Sequence, residues 1–341
     1  MLFEDQLVVK VKKGKYGPRG MPGDIIQLRN GDLLLSYTKD SIGLMGRKSK
    51  NMGKTWGEEF VILPHPGKPM KQGWYAHPTF LRLADGDLLM SYLYGAGAVP
   101  YYGHNYYRRS SDDGKTWSDQ FVLTPYAGYV LMHNAKLLAL PDGRIIAPVE
   151  LKKRWPKSND HRGYVSTAFY SDDLGYSWWM SENHVDVFPH EAQEPHVAQL
   201  DDARLLMMFR TYSGFMGRAY SADDGETWYD GEVLPELKAP PNATALTLHR
   251  IPRERCQDLL LIRNTTGDGK GRRNPLVSVI SRDGGQTWEN ERVIAGDRTD
   301  DYGYQSVTFI EDMAVMSYHA RDGLHVARIA IDWFYGDGNA S

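Results

Sequence analysis

Short apolar segments, each preceded by a tight polar turn, recur along the chain. Four clear copies read RNGDLLLSYT (29–38), ADGDLLMSYL (84–93), PDGRIIAPVE (141–150) and DDARLLMMFR (201–210). Two weaker relatives follow, RCQDLLLIR (255–263) and EDMAVMSY (311–318). A two-residue turn followed by a run of apolar residues of strand length is typical of a buried β-strand entered from a hairpin. The pattern therefore predicts six such units.

A second repeat lies downstream of these units. Its five copies read SKNMGKTW (49–56), SSDDGKTW (110–117), SDDLGYSW (171–178), SADDGETW (221–228) and SRDGGQTW (281–288). The Asp accepts hydrogen bonds from turn amides, the Gly permits positive φ, and the Trp resumes a strand with a large ring to bury. We interpret these boxes as structural hairpin turns rather than as ligand sites.

Six turn-and-strand units with five boxes indicate a circular architecture. Repeats near 60 residues suit units of about four strands. The N-terminal segment LFEDQLVVKV (2–11) is the candidate for the strand that completes the last unit. We therefore predict an all-β, six-bladed β-propeller, with residues 1–341 forming a single domain, because closure into a ring removes exposed sheet edges.

Composition narrows the classes of partner. The chain is 41% hydrophobic and 24% charged, with a formal net charge of −3. This balance supports a packed core and gives no basic excess for nucleic acid or anionic lipid. A single cysteine, Cys256, excludes an intrachain disulfide and a thiolate metal cluster. No apolar run is long enough to span a membrane, and no export signal is recognisable, so we expect a cytoplasmic protein. We also expect no metal and no other cofactor.

Polar residues occupy most of the equivalent positions where the predicted inner strands begin. Counting back nine residues from the turn glycine, or from the residue in its place, gives Pro22, His77, Glu194 and Tyr304, and His133 lies ten residues before Gly143. Inner strands of a propeller surround one axis, so these side chains are expected to converge at one mouth. Polar groups from several blades that meet in this way are typical of a ligand pocket.

The eight-residue repeat that ends in Trp is the motif known as the Asp box. The chain resembles the sialidase (neuraminidase) superfamily of six-bladed propellers. The resemblance rests on Arg19 before Pro22 in YGPRGMP, on Asp40 after the first inner strands, and on the order Glu194, apolar strand, Arg210 in the fourth blade. In this sequence the Arg and Pro of the family motif are separated by an extra residue.

Two further positions complete the resemblance. GRRNPLVS offers Arg273, with Arg272 as its competitor, and YGYQSVTF offers Tyr304, with Tyr302 close by. The resemblance implies that Arg19, Arg210 and Arg273 bind the carboxylate of a terminal acidic sugar. It also implies that Tyr304 is a nucleophile activated by Glu194.

The resemblance assigns the remaining acid–base role to Asp40, which would protonate the leaving oxygen and later activate water. An exo-glycosidase of the sialidase type, acting on an oligosaccharide, is the first interpretation. His77 and His133, read as pocket residues, leave open a different propeller glycosidase or a lyase that acts on uronate- or deoxysugar-containing glycans. A non-catalytic carbohydrate-binding propeller is the third interpretation. The sequence gives neither the linkage nor the oligomeric state.

Overall fold

The computed structural model describes most of the chain. The described residues are 2–11, 21–39, 42–65, 74–95, 103–126, 128–152, 163–240, 245–253, 257–265 and 273–336. Four residues named above, Arg19, Asp40, Cys256 and Arg272, lie outside them.

Twenty-five strands and one short 3₁₀ helix make up the described secondary structure. In chain order they are β1 (Phe3–Lys10), β2 (Gly23–Gln27), β3 (Leu33–Lys39), β4 (Gly43–Ser49), β5 (Phe60–Pro64), β6 (Trp74–Arg82), β7 (Leu88–Gly95), β8 (Gly103–Ser110), β9 (Phe121–Val122), β10 (Val130–Leu131), β11 (Leu138–Ala139), β12 (Ile145–Lys152), β13 (Tyr164–Ser171), β14 (Trp179–Met180), β15 (Gln193–Gln199), β16 (Leu205–Arg210), β17 (Phe215–Ser221), β18 (Tyr229–Lys238), β19 (Leu246–Arg250), β20 (Leu259–Asn264), β21 (Leu276–Ser281), β22 (Glu289–Ala295), β23 (Gly303–Ile310), β24 (Met313–Ala320), β25 (Gly323–Ala330) and the helix Ile331–Tyr335.

These strands form six antiparallel sheets, and the predicted six-bladed β-propeller is confirmed. From the axis outward, blades one, two, four and five are β2–β5, β6–β9, β15–β18 and β19–β22. Blade three has β10 and β11 inside, followed by β12, β13 and β14. Blade six has the order β23, β24, β25, β1. Neighbouring inner strands contact each other around the ring: β2 contacts β6 and β23, and β19 contacts β15 and β23.

Burial explains why the second strand of a blade reads as a continuous apolar run. Strands β12, β16 and β20 are buried at every residue, whereas the outer strands β18 and β22 are largely exposed. A strand buried on both faces needs apolar residues at successive positions rather than in alternation. The six turn-and-strand repeats accordingly supply β3, β7, β12, β16, β20 and β24.

The Asp boxes are hairpin turns held by a repeated set of hydrogen bonds. In the second box Ser110 Oγ donates to Asp112 Oδ1 and accepts from Gly114 N, each at 2.8 Å. Asp112 also accepts from Thr116 N and Oγ1, and these bonds, with that of the Thr116 hydroxyl foremost, hold the pKa of Asp112 well below its usual range. The Ser–Gly bond recurs in the other four boxes, with Asn51 in place of Asp in the first.

Each box also packs on the preceding blade. A Cβ atom added at Gly175, in the third box, would lie 2.9 Å from Leu89 of blade two. One added at Gly53, in the first box, would lie 3.2 Å from Val315 of blade six. The box glycine is therefore needed twice, for its positive φ and for close contact between blades.

The N-terminal strand completes the sixth blade. Strand β1 pairs antiparallel with β25, with Phe3 opposite Ile329, and Leu2 O accepts a hydrogen bond from Ala330 N. Where the third strand of the other blades leads into a box, β25 leads into the 3₁₀ helix, whose Phe334 belongs to the same buried cluster as Leu260 and Ile280 of blade five.

A ring of six polar side chains lines the axis two residues beyond the strand entries. We call this set the inner ring: Asp24, Thr79, Lys136, His196, Thr247 and Ser306, one from each blade and all buried. Inner strands have one edge without a neighbouring strand, so backbone groups on that edge need side-chain partners.

Members of the inner ring satisfy those groups across blade boundaries. Asp24 accepts from Phe80 N at 2.7 Å, and His196 Nδ1 accepts from Leu248 N at 3.0 Å. Thr79 Oγ1 donates to the carbonyl oxygen of His133 at 3.3 Å. The ring therefore ties each of these blades to the next.

We predict that alanine is tolerated less well in a box than in an ordinary turn of the same backbone conformation. Gly175 and Gly143 have φ values of 87° and 99°, but a Cβ at Gly143 meets nothing within 4 Å. Gly143→Ala should lower the free energy of unfolding by roughly 1 kcal/mol through backbone strain. Gly175→Ala should lower it by roughly a further 1 to 3 kcal/mol through its contact with Leu89. Denaturant unfolding measures both, and equal losses would contradict a packing role for the box.

A second prediction concerns Asp24. Burial raises the pKa of this carboxyl to about 7, against the lowering effect of its hydrogen bonds from Phe80 and Ile25. The folded state then binds a proton that the unfolded state releases near pH 4, so the contribution of Asp24 to stability falls as the pH rises from about 4 to 7.

Asp24→Asn removes this titration. The difference in unfolding free energy between the variant and the wild type should change by about 4 kcal/mol between pH 4 and 8, in favour of the variant at the higher pH. Asp119→Asn, at an exposed position, is the matched control and should show no such change. A difference that is constant over this range for Asp24→Asn would refute the prediction.

Candidate functional site

Three residues at one end of the axis share an unusual backbone conformation. His77, Glu194 and Tyr304 have φ values of 53°, 50° and 54°, and each lies in a register shift of its inner strand. A β-bulge redirects a side chain out of the regular alternation of a strand. Left-handed φ is uncommon outside glycine and marks positions that the surroundings hold in place. The three bulges bring these side chains together.

Blade three contributes side chains to the same end of the axis from a segment that interrupts its inner strand. Residues 132–137 separate β10 from β11, and this segment carries His133, Asn134 and Lys136. Asn134, rather than His133, lies nine residues before Gly143. Its Nδ2 donates to the carbonyl oxygens of Gly23 at 2.8 Å and Tyr304 at 2.9 Å. Asn134 thus fixes the backbone of Tyr304 from across the axis.

Glu194 and Arg210 form a buried ion pair. Arg210 Nη1 lies 2.5 Å from Glu194 Oε1, and Arg210 Nη2 donates to Gln193 Oε1. Arg210 ends β16, which pairs with β15, so the ion pair follows from the sheet register. Both side chains are only 5% exposed, and a buried carboxylate of this kind requires charged and hydrogen-bonding partners.

Arg273 contacts both Glu194 and Tyr304. Its Nη2 donates to Tyr304 Oη at 3.4 Å and lies 3.8 Å from Glu194 Oε1, and its guanidinium carbon lies 4.7 Å from the centre of the tyrosine ring. Arg273 Nη1 is buried and has no hydrogen-bond partner among the described residues. That nitrogen is a candidate donor for an anionic ligand group.

Two histidines form an aromatic wall beside Tyr304. The His133 ring is nearly parallel to the Tyr304 ring, with centroids 5.7 Å apart, and His77 packs edge-on against both. His133 Nε2 lies 3.8 Å from Glu194 Oε1. Burial lowers the pKa of His133 well below its usual value, against the influence of Glu194, so its imidazole is neutral at pH 7.

Two residues that the sequence reasoning passed over hold the backbone of Glu194. Glu150 Oε2 accepts from Glu194 N at 3.0 Å, and Lys136 Nζ donates to Glu194 O at 3.3 Å. A signal for Glu150 was present in the repeats, because PDGRIIAPVE and DDARLLMMFR place Glu150 at the position of Arg210. Lys136 carried no such signal, since it lies in the segment that breaks the repeat.

Six of the eight residues named from the sequence meet at this mouth: His77, His133, Glu194, Arg210, Arg273 and Tyr304, each at most 7% exposed. Arg19 and Asp40 lie outside the described residues, as does Arg272, the competitor of Arg273. Tyr302 has a different environment from Tyr304: its Oη accepts from Asp297 N at 3.0 Å, and its ring packs on Tyr318.

Two classes of feature are not found in the described part of the chain. No group of three or more His, Cys, Asp or Glu side chains there is arranged to hold a metal ion. No helix in it is long and apolar enough to cross a membrane.

Comparison with known proteins gives one family and several relatives. Residues 38–316 match the family model described as BNR repeat-like domain. The chain is 28% identical to a sialidase of Bacteroides fragilis over 215 residues, which is 60% of this chain and 37% of that protein. It is 24% identical to a sialidase of Micromonospora viridifaciens over 340 residues, which is 90% of this chain and 50% of that protein.

A solved structure gives the same fold. The K499G mutant of NanB sialidase from Streptococcus pneumoniae superposes with a TM-score of 0.71 at 14% identity, covering 96% of this chain and 70% of that one. At this identity the likeness concerns the fold alone. The chain spans half or less of the length of the two curated relatives.

We predict that Glu194 stabilises the fold through Arg210 and Arg273. Glu194→Gln leaves two buried guanidinium groups without their carboxylate, which should lower the free energy of unfolding by about 3 to 5 kcal/mol. The control is Asp202→Asn, which breaks the more exposed pair between Asp202 and Arg204 and should cost less than about 1 kcal/mol. Chemical denaturation measures both variants, and similar small losses would contradict the prediction.

Proposed function

The chain belongs to the BNR repeat-like domain family, and from this we propose that it is an exo-glycosidase of the sialidase type that hydrolyses a terminal acidic sugar of an oligosaccharide. One observation carries the proposal: Glu194 and Tyr304, from blades four and six, both contact the guanidinium group of Arg273. A tyrosine, a glutamate and arginines in one buried mouth form the set that such a reaction uses. The relatives that bear the name sialidase support the same reaction class.

Substrate charge explains why this set would use a tyrosine. In a sialic acid the anomeric carbon carries a carboxylate, which repels an anionic nucleophile, and glycosidases with a tyrosine nucleophile depart from the scheme of two carboxylates. Arg210, Arg273 and Arg19 would bind the substrate carboxylate, because guanidinium groups match its planar geometry. Arg273 Nη1, which has no partner among the described residues, would donate to it directly.

The first half of the reaction transfers the sugar to Tyr304. Glu194 accepts the phenolic proton of Tyr304, and Tyr304 Oη forms a bond to the anomeric carbon as the glycosidic bond breaks. Asp40 donates a proton to the leaving oxygen. Arg273 stabilises the negative charge that develops on Tyr304 Oη during this transfer.

The second half restores the enzyme. Asp40, now a carboxylate, takes a proton from water, and the water oxygen attacks the anomeric carbon. The bond from Tyr304 Oη to the sugar breaks, and Tyr304 recovers its proton from Glu194. The free sugar and the shortened glycan are the two products.

The histidine wall favours a second candidate. His133 and His77 lie against Tyr304, and the neutral imidazole of His133 can accept a proton. A lyase acting on a uronate-containing glycan would remove the proton α to the carboxylate and expel the neighbouring oxygen, leaving an unsaturated sugar. Growth of ultraviolet absorbance on an anionic polysaccharide detects that product, whereas release of a saturated monosaccharide indicates hydrolysis.

We predict that Tyr304→Phe abolishes turnover of an aryl α-sialoside, with a loss in kcat of at least about 10³-fold, because the nucleophilic oxygen is removed. Tyr302→Phe is the matched control: Tyr302 is equally buried, begins the same segment and bonds Asp297 instead, and its activity should stay near wild type. Release of the aryl alcohol measures both, and undiminished hydrolysis by Tyr304→Phe would falsify the nucleophile assignment.

A further inference from the structure

Lys136 is a buried lysine on the propeller axis. Only 3% of it is exposed, and it belongs to both the inner ring and the segment that interrupts the inner strand of blade three. Its Nζ donates to the carbonyl oxygens of Glu194 at 3.3 Å and Leu246 at 2.9 Å. One side chain therefore joins blades three, four and five directly beneath Glu194.

A charged side chain is not needed merely to connect these blades by hydrogen bonds. None of the described carboxylates lies within ion-pair distance of Lys136 Nζ, so the ammonium group is solvated by peptide carbonyls alone, and burying such a group is costly. A neutral donor of hydrogen bonds would satisfy the same carbonyls at less cost. Asn134 and Gln305 do this elsewhere on the axis.

The groups that face Lys136 come from four elements. Glu194 and His196 lie on β15, Glu150 on β12 and His249 on β19, and His133 lies in the same segment as Lys136. Burial lowers the pKa of His196 and His133 well below the usual value and that of His249 to about 4, so the three histidines are neutral at pH 7. The two glutamates are then the anionic groups that act on Lys136.

The two glutamates in turn affect the pKa of Lys136. Burial lowers the pKa of this amine to about 7, while Glu194 first and Glu150 second act to raise it. Interaction between two charges is reciprocal: a carboxylate that favours the ammonium form is favoured in its ionised form by that ammonium.

We propose that Lys136 is a positioning residue for Glu194, which fixes the Glu194 main chain across three blades and favours the ionised form of its carboxylate. The inference rests on the proposed function, in which Glu194 must be ionised to accept the proton of Tyr304. The hydrogen bond to Glu194 O supports the left-handed backbone of the bulge, and Glu150 holds the amide on its other side.

The direct test measures the titration of Lys136 by NMR on protein labelled with ¹³C at lysine Cε, and it needs no substrate. The resonance that disappears in Lys136→Met identifies the residue, and its midpoint is expected near pH 7. In Glu194→Gln the midpoint should fall by about one pH unit, because the attracting charge is gone. Glu226→Gln, which alters an exposed carboxylate paired with Arg144, should leave it unchanged. An unchanged midpoint in folded Glu194→Gln overturns the proposal.

The second test uses hydrolysis of an aryl α-sialoside. Lys136→Gln retains a hydrogen-bond donor without the charge, and Lys136→Met retains neither. Both should lower kcat by about tenfold or more with KM within about twofold, and both should move the acidic limb of the kcat–pH profile to higher pH. Thr247→Val removes an uncharged bond of the same inner ring, to His196 and His249, and should leave the profile in place. If Lys136→Gln has the same kcat–pH profile as the wild type, Lys136 has only a structural role and its electrostatic role is refuted.

The two tests separate this proposal from the proposed function. If wild-type protein hydrolyses no sialoside, the proposed function fails, and the NMR midpoints still decide whether Lys136 and Glu194 interact. If hydrolysis occurs and the midpoint does not respond to Glu194→Gln, the inference about Lys136 fails alone. Circular dichroism of each variant verifies that the propeller is folded before either measurement.

Discussion

Each blade of this propeller presents to the axis a strand whose inner edge has no neighbouring strand. Main-chain donors and acceptors on such an edge must find partners inside a narrow, buried space. The inner ring supplies many of them, with Asp24, Lys136 and His196 reaching across to the next blade. This requirement places polar and ionisable side chains along the axis, and the candidate site lies at the end of that polar column.

At the candidate site, hydrogen bonds and ion pairs also stabilise strained backbone and a buried charge. At the strand entries, bulges turn His77, Glu194 and Tyr304 toward one another, and left-handed backbone is kept there by bonds such as those of Asn134 to Tyr304 and Glu150 to Glu194. Arginines neutralise the buried carboxylate. Strain and burial are tolerated at the mouth because the six surrounding sheets are apolar and closely packed.

Much of the fold was predictable because it repeats. Five boxes and six turn-and-strand units gave the number of blades, and equal spacing from the turns located His77, Glu194 and Tyr304. His133 was displaced by one residue, since blade three breaks its inner strand at 132–137. Lys136 could not be assigned in this way, because it lies in the segment that breaks the repeat. Glu150 has the repeat position of Arg210, but its hydrogen bond to the amide of Glu194 in blade four is a contact that no local pattern encodes. The roles of Arg19 and Asp40 remain predictions from resemblance.

The pairing of β1 with β25 bears on how the molecule is made. Phe3 and Ile329 are neighbours in one sheet although almost the whole chain separates them. Contacts between such distant positions form slowly, and a protein is synthesised from its N-terminus. Strand β1 therefore emerges from the ribosome long before β25 and has no partner strand until β25 has been synthesised. Tyr304 belongs to the blade that this late pairing completes, so the mouth can assemble only after blade six has been synthesised.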